Sequence, residues 1–134
     1  MMMRTRLALV AGSLLVLAAA PAVAHHSFAA EYDRNKQVNL TGTVTKVDWM
    51  NPHMYFYIDV KEANGSVTSW GLENGNLSGL MRRGWRKDSL KIGDVVSVEG
   101  FLAKDGTHIA NARSVKLSDG RKMFSGQFGE ENEK

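Results

Sequence analysis

Residues 41–60, TGTVTKVDWMNPHMYFYIDV, decide the fold, because two strand patterns flank a corner at Asn51-Pro52-His53. Leading into this stretch, Val38, Leu40, Gly42 and Val44 alternate with polar residues, and the apolar positions then change parity to Val47 and Trp49. Side chains on a strand alternate with period two, so a change of parity requires an extra residue. The first strand is therefore predicted to carry a bulge or sharp bend and to serve two sheets. Pro52 cannot donate to a central ladder. After it Met54, Phe56, Ile58 and Val60 alternate with Tyr55, Tyr57 and Asp59, which gives the second strand a core face and a decorated outer face.

Downstream of that pair, Asn64-Gly65 predicts a two-residue hairpin turn into a third strand over 66–73, with Trp70 and Leu72 on one face. A short helix follows, with Asn76 as N-cap, a Leu77, Leu80 and Met81 face, and Gly84 as its stop. Alone it is too short to persist, so it must pack on the sheet, with Trp85 covering one end. A fourth strand over 95–103 turns at Asp105-Gly106 into a fifth over 107–117, and Asp119-Gly120 leads to a short edge strand through Phe124. Strand, strand, strand, helix, strand, strand is the order of a five-stranded OB-like Greek-key barrel, an all-β fold with one short helix.

Residues 1–24 read as a secretory leader, with Arg4 and Arg6 ahead of an apolar run from Leu7 to Ala20 and an Ala22-x-Ala24 cleavage pattern. The run is shorter than the roughly 20 apolar residues of a bilayer helix. Cleavage after Ala24 would place the protein in the periplasm or outside the cell, with no membrane span. The remaining chain divides into an N-terminal arm over 25–37, the barrel over 38–124 and a Gly-containing, acidic tail over 125–134 that is expected to be disordered. Removing Arg4 and Arg6 from the 17 basic residues leaves 15 against 14 acidic ones, a net charge of +1. So small a charge argues against polyanion binding. With no cysteine, the chain has neither a disulfide framework nor a thiolate metal site.

Histidine is the most informative residue type. Cleavage after Ala24 would give His25 a free α-amine beside its imidazole and place a second imidazole at His26. An amine with a pKa of about 7.7–8.0 gives up its proton readily to a metal. A nitrogen-rich set of this kind favours Cu(II). The competing reading is a solvated His-His pair. His53, on the corner, is a third candidate ligand, or else a residue contacting backbone or Trp49; Glu73, before a Gly/Asn turn, is a fourth candidate, or else a turn contact. Ten residues of straight strand span about 33 Å, so the arm and the corner are expected at opposite ends of the first strand. Shared ligation by His25 and His53 would then need the arm to run back along the barrel. His108, on the Asp105-Gly106 hairpin, reads as solvated.

Trp49, Tyr55 and Tyr57 form the candidate surface for a protein or small envelope ligand. Tyr55 and Tyr57 together with Arg82, Arg83, Arg86 and Lys87 would also suit single-stranded nucleic acid, but export and the small net charge argue against it. Neither a G-x-S-x-G elbow nor a phosphate-cradling glycine loop is present, so nothing points to an enzyme.

Several motifs together resemble a bacterial family of small exported proteins of unknown function. They are His25-His26-Ser27-Phe28, Gly42-Thr43-Val44, Trp49-x-Asn51-Pro52-His53, Leu80-x-Arg82-x-Gly84-Trp85, Leu90-x-x-Gly93-Asp94 and Ala110-Asn111-Ala112-Arg113. The resemblance covers nearly all of the mature chain. It implies an exported single-domain β-barrel and no particular reaction. Two function classes stand from the sequence: a metal-binding protein with copper as the first candidate, and a metal-free interaction module of the cell envelope.

Overall fold

The computed structural model describes residues 28–126. A four-residue helix, α1 (Phe28–Glu31), leads into β1 (Tyr32–Asp48), β2 (Tyr55–Lys61), β3 (Val67–Glu73), helix α2 (Leu77–Arg82), β4 (Val95–Ala103), β5 (Ile109–Lys116) and β6 (Lys122–Phe124). The strands run in the order β3-β2-β1-β4-β5-β6, and a parallel β3–β5 pairing closes the ring. This is the expected all-β barrel, with β6 as the short edge strand and α1 as an additional helix turn.

β1 joins the two halves of the barrel. Its first part pairs with β4, from Tyr32↔Ala103 to Thr43↔Val95. Its last part pairs with β2, from Thr43↔Asp59 to Asp48↔Tyr55, and the register slips between Val44 and Lys46, where the parity change predicts the bulge. Two glycines permit close strand crossings. A Cβ at Gly42 would fall 2.5 Å from the Asp59 carbonyl oxygen, and one at Gly100 would overlap that of Asn111.

Phe56, Ile58, Leu72, Leu80, Trp85, Val98, Ala110 and Val115 fill the core. Asn76 caps α2 by accepting from the Gly79 amide at 2.8 Å. Beyond α2, the Trp85 amide reaches back to the Leu80 carbonyl at 3.0 Å, with Gly84 at φ 93°. Trp85 is fully buried and donates its indole N–H to the Phe124 carbonyl at 3.0 Å. It is thus a core residue and more than an end cover.

Four expectations are corrected. The polar run 33–37 lies within β1, which pairs with β4 at Tyr32 and again from Gln37 onward; between them the register is irregular, and the Asn35 amide turns to Asp33 Oδ1 at 2.9 Å. Met81 is 44% exposed, since a single turn of helix buries only Leu80 and, in part, Leu77. Asn64-Gly65 belongs to a three-residue connection in which the Gly65 amide donates to the Glu62 carbonyl and the Glu62 amide to that of Ser66. Ser125, counted with the tail, is buried and hydrogen-bonded to β5 carbonyls. No described helix is long and apolar enough to cross a membrane.

Removing the Trp85 side chain should test the core directly. Trp85→Ala is expected to cost about 3–5 kcal/mol, read as a lowered urea midpoint; a loss within about 1 kcal/mol (about fivefold in the folding equilibrium) would show that this ring does not hold α2 to the barrel.

Candidate functional site

Glu73 ends β3, opposite Tyr55 of β2 on one side and Asn111 of β5 on the other. Only 4% exposed, it is a carboxylate buried on the outer face of the barrel. Such a group must be matched by donors to be tolerated. Its Oε2 accepts from the Tyr32 hydroxyl, and its Oε1 lies 2.7 Å from His53 Nδ1. Tyr55 stands beside it as its cross-strand partner.

The local sequence places His53 firmly. Asn51-Pro52 is a cis peptide. Asn51 Oδ1 accepts the Leu77 amide at 3.1 Å, which fastens the corner to the start of α2. On the other side of His53, the Met54 amide donates to the Gly75 carbonyl at 3.0 Å and the Asn74 amide to the Met54 carbonyl at 2.8 Å. Met54 itself is buried, and its sulfur accepts from Asn74. The imidazole is 41% exposed, with Nδ1 turned to Glu73. A carboxylate on Nδ1 sets the ring's orientation and leaves Nε2 to meet a metal ion or another donor.

The arm packs onto the same carboxylate. Phe28 stacks on Tyr32 with ring centroids 5.3 Å apart and meets Phe101 edge-on at 5.7 Å. The Lys104 amide donates to the Glu31 carbonyl at 2.8 Å, and Lys104 Nζ to the Ala29 carbonyl. Both ends of β1 therefore arrive at Glu73: Tyr32 through its hydroxyl, and Asp48 through its pairing with Tyr55. A straight strand would have kept them apart, but β1 is 17 residues long and curls around a closed barrel. From the sequence Tyr32 falls in the N-terminal arm over 25–37, where the available signal is a pair of aromatics, Phe28 and Tyr32, in an otherwise small and polar stretch.

Beside this network lies a cleft of about 520 Å³, bounded by α1, Tyr32, Tyr55, Ile109 and the Lys104–Thr107 turn. Tyr55 alone of the candidate partner residues borders it. The Tyr57 ring lies across Gly71, where a Cβ would stand 3.3 Å from it, and Lys46 Nζ sits 5.3 Å from its centroid. Trp49 is half-buried against the core. His108 is exposed, its ring 5.0 Å from that of Trp70.

His25 and His26 lie outside the described residues, and among those described no three His, Asp or Glu side chains group as a metal centre. His53 and Glu73 are brought together, but as a hydrogen-bonded pair. Since Glu73 has both oxygens engaged, it can orient His53 better than it can ligate.

Residues 12–112 match a family of unknown function (DUF6152), and the chain belongs to that family. No curated protein matches the chain.

Burial, then the hydrogen bond to Glu73 and its charge, push the Tyr32 hydroxyl well above the ordinary tyrosine range, and burial followed by the Glu73 charge raises Tyr55. A folded-state pKa above the unfolded value of 10.0 makes a contribution that is complete below pH 10 and declines as the unfolded chain ionises. Stability should therefore fall above pH 10, at up to about 1.4 kcal/mol per pH unit from Tyr32. Denaturation series between about pH 9 and 11.5 should show a shallower decline in Tyr32→Phe; parallel curves would mean that Tyr32 is solvated.

Proposed function

We propose that this member of a family of unknown function is an exported metal-binding protein of the cell envelope. It would take Cu(II) where its processed N-terminus meets His53. Export follows from the leader pattern of residues 1–24, and cleavage after Ala24 leaves the His25 amine and imidazole and the His26 imidazole as nitrogen donors. The observation that carries the reading is the anchoring of Phe28 on Tyr32, whose hydroxyl shares Glu73 with His53. His26 stands two residues ahead of Phe28, a tether of about 7 Å when extended. That tether lets the N-terminal donors approach Nε2 of His53 without a long return along the barrel. Imidazole and amine nitrogens suit Cu(II) ahead of other divalent ions. Glu73 holds Nδ1 of His53, the carboxylate–histidine pairing that orients metal ligands.

Protein beginning at His25 should bind one Cu(II), measured by competition titration. One extra residue ahead of His25 should weaken binding at least about tenfold by removing the amine, and Glu73→Gln should weaken it about 10–100-fold through His53. Equal affinities in all three forms would eliminate the assembled site.

The cleft favours a second reading, a small-ligand module, because about 520 Å³ is a volume that binds small molecules elsewhere. Ile109→Trp should fill it. A metal-free envelope ligand that raises the melting temperature of the wild type and not of Ile109→Trp would assign binding to the cleft; equal shifts would exclude it.

A further inference from the structure

On the opposite side of the corner a groove of about 320 Å³ runs between α2 and the end of β6, lined by Gly75, Asn76, Gly79, Arg82, Arg83, Ser125 and Gly126. The geometry points to this groove as a seat for an acidic peptide, with the chain's own C-terminal segment, 127–134, as its occupant. The groove has three glycines in its walls, so main chain can approach main chain there, and two guanidinium-bearing residues on one side.

The chain itself enters the groove. The Ser125 amide donates to the Arg113 carbonyl at 3.1 Å and its hydroxyl to the Ala112 carbonyl, which fixes the direction in which the chain leaves β6. Gly126 follows at φ 71°, and a Cβ there would overlap the Arg83 guanidinium. Only glycine lets the main chain pass so close to Arg83 in this conformation.

The eight residues that follow, Gln127-Phe128-Gly129-Glu130-Glu131-Asn132-Glu133-Lys134, carry three glutamates against one lysine. Extended, they reach about 28 Å. That length covers the groove and the exposed Arg82–Lys87 turn beyond it. Arg86 has work of its own there, donating to the Met81 and Trp85 carbonyls at 3.2 and 2.8 Å. Arg82, on the groove wall, and Lys87 are exposed cations that the glutamates would meet. The segment would also brace the corner, since Gly75 on the groove wall holds the Met54 amide beside His53. The proposal is independent of metal.

The chain has no cysteine, so Asn132→Cys in the full mature protein gives a single site for a nitroxide label and keeps every glutamate. With the label active, the Gly75 and Gly79 amide signals of ¹⁵N protein should lose more than about half their intensity in low salt, and regain it in about 0.5 M NaCl. Glu130→Lys with Glu131→Lys should abolish the loss without touching the barrel. Adding Arg82→Glu and Arg83→Glu to that variant should restore it. Unchanged Gly75 and Gly79 intensities would overturn the proposal. So would broadening that persists on unlabelled ¹⁵N chains mixed with labelled ¹⁴N chains, which would place the segment on a second copy.

Discussion

A buried carboxylate sets the terms for this barrel's outer face. Glu73 is almost wholly removed from water, and an ionised carboxylate in that position costs several kcal/mol unless donors replace its hydration. The donors come from two places in the sequence, Tyr32 at the start of β1 and His53 on the corner, with Tyr55 of β2 paired alongside. Satisfying one side chain thus obliges the arm and the corner to meet. Phe28 stacks on the Tyr32 ring and meets Phe101 edge-on, so aromatic packing holds the tyrosine that reaches Glu73.

The barrel makes this meeting possible because β1 is shared. Its early residues pair with β4 and its late residues with β2, with a slip at Val44/Lys46 where the strand changes partner. Gly42 and Gly100 allow backbones to pass at distances that a side chain would block. Closure through β3–β5 brings Glu73 beside Asn111 and turns the outer ends of β2, β3 and β5 into one surface, on which Tyr32 settles. The position of the site therefore follows from the topology of the ring.

Local pattern carried the architecture and could not carry the site. The Val44-to-Val47 parity change, the alternation from Met54 to Val60 and the Asn76/Gly84 brackets of α2 are short-range signals, each read from fewer than about a dozen residues. Together they give strand order and barrel class. The Tyr32–Glu73 bond spans 41 positions, and no periodicity announces it. His53 and Glu73 were each noticeable as polar residues at strand ends, but their pairing depends on the corner being tied to Leu77 and Gly75 from α2 and its preceding loop. The polar run 33–37 misled for a related reason: it is carried as an irregular stretch of β1 between the β4 pairings of Tyr32 and Gln37, and nothing in its own composition announces that. Met81 misled because helical spacing alone does not say how wide a face one turn can bury.

In the proposed site, arm order and ligand binding would be linked through entropy. Holding each arm residue costs about 1–2 kcal/mol of backbone freedom, and beyond Phe28 the chain has only Ser27 before the two histidines. The stacked rings and the Tyr32 hydroxyl already supply this cost as far as Phe28, so a metal gathered by His25, His26 and His53 would have to order only the last few residues. Preorganisation of that kind raises affinity without adding a contact. It also works in reverse: a ligand that joins the arm to the corner binds only the closed arrangement, and so stabilises the Tyr32–Glu73 contact by mass action. If the proposed site holds, loosening Tyr32 would weaken binding at His53, because both side chains depend on the same carboxylate.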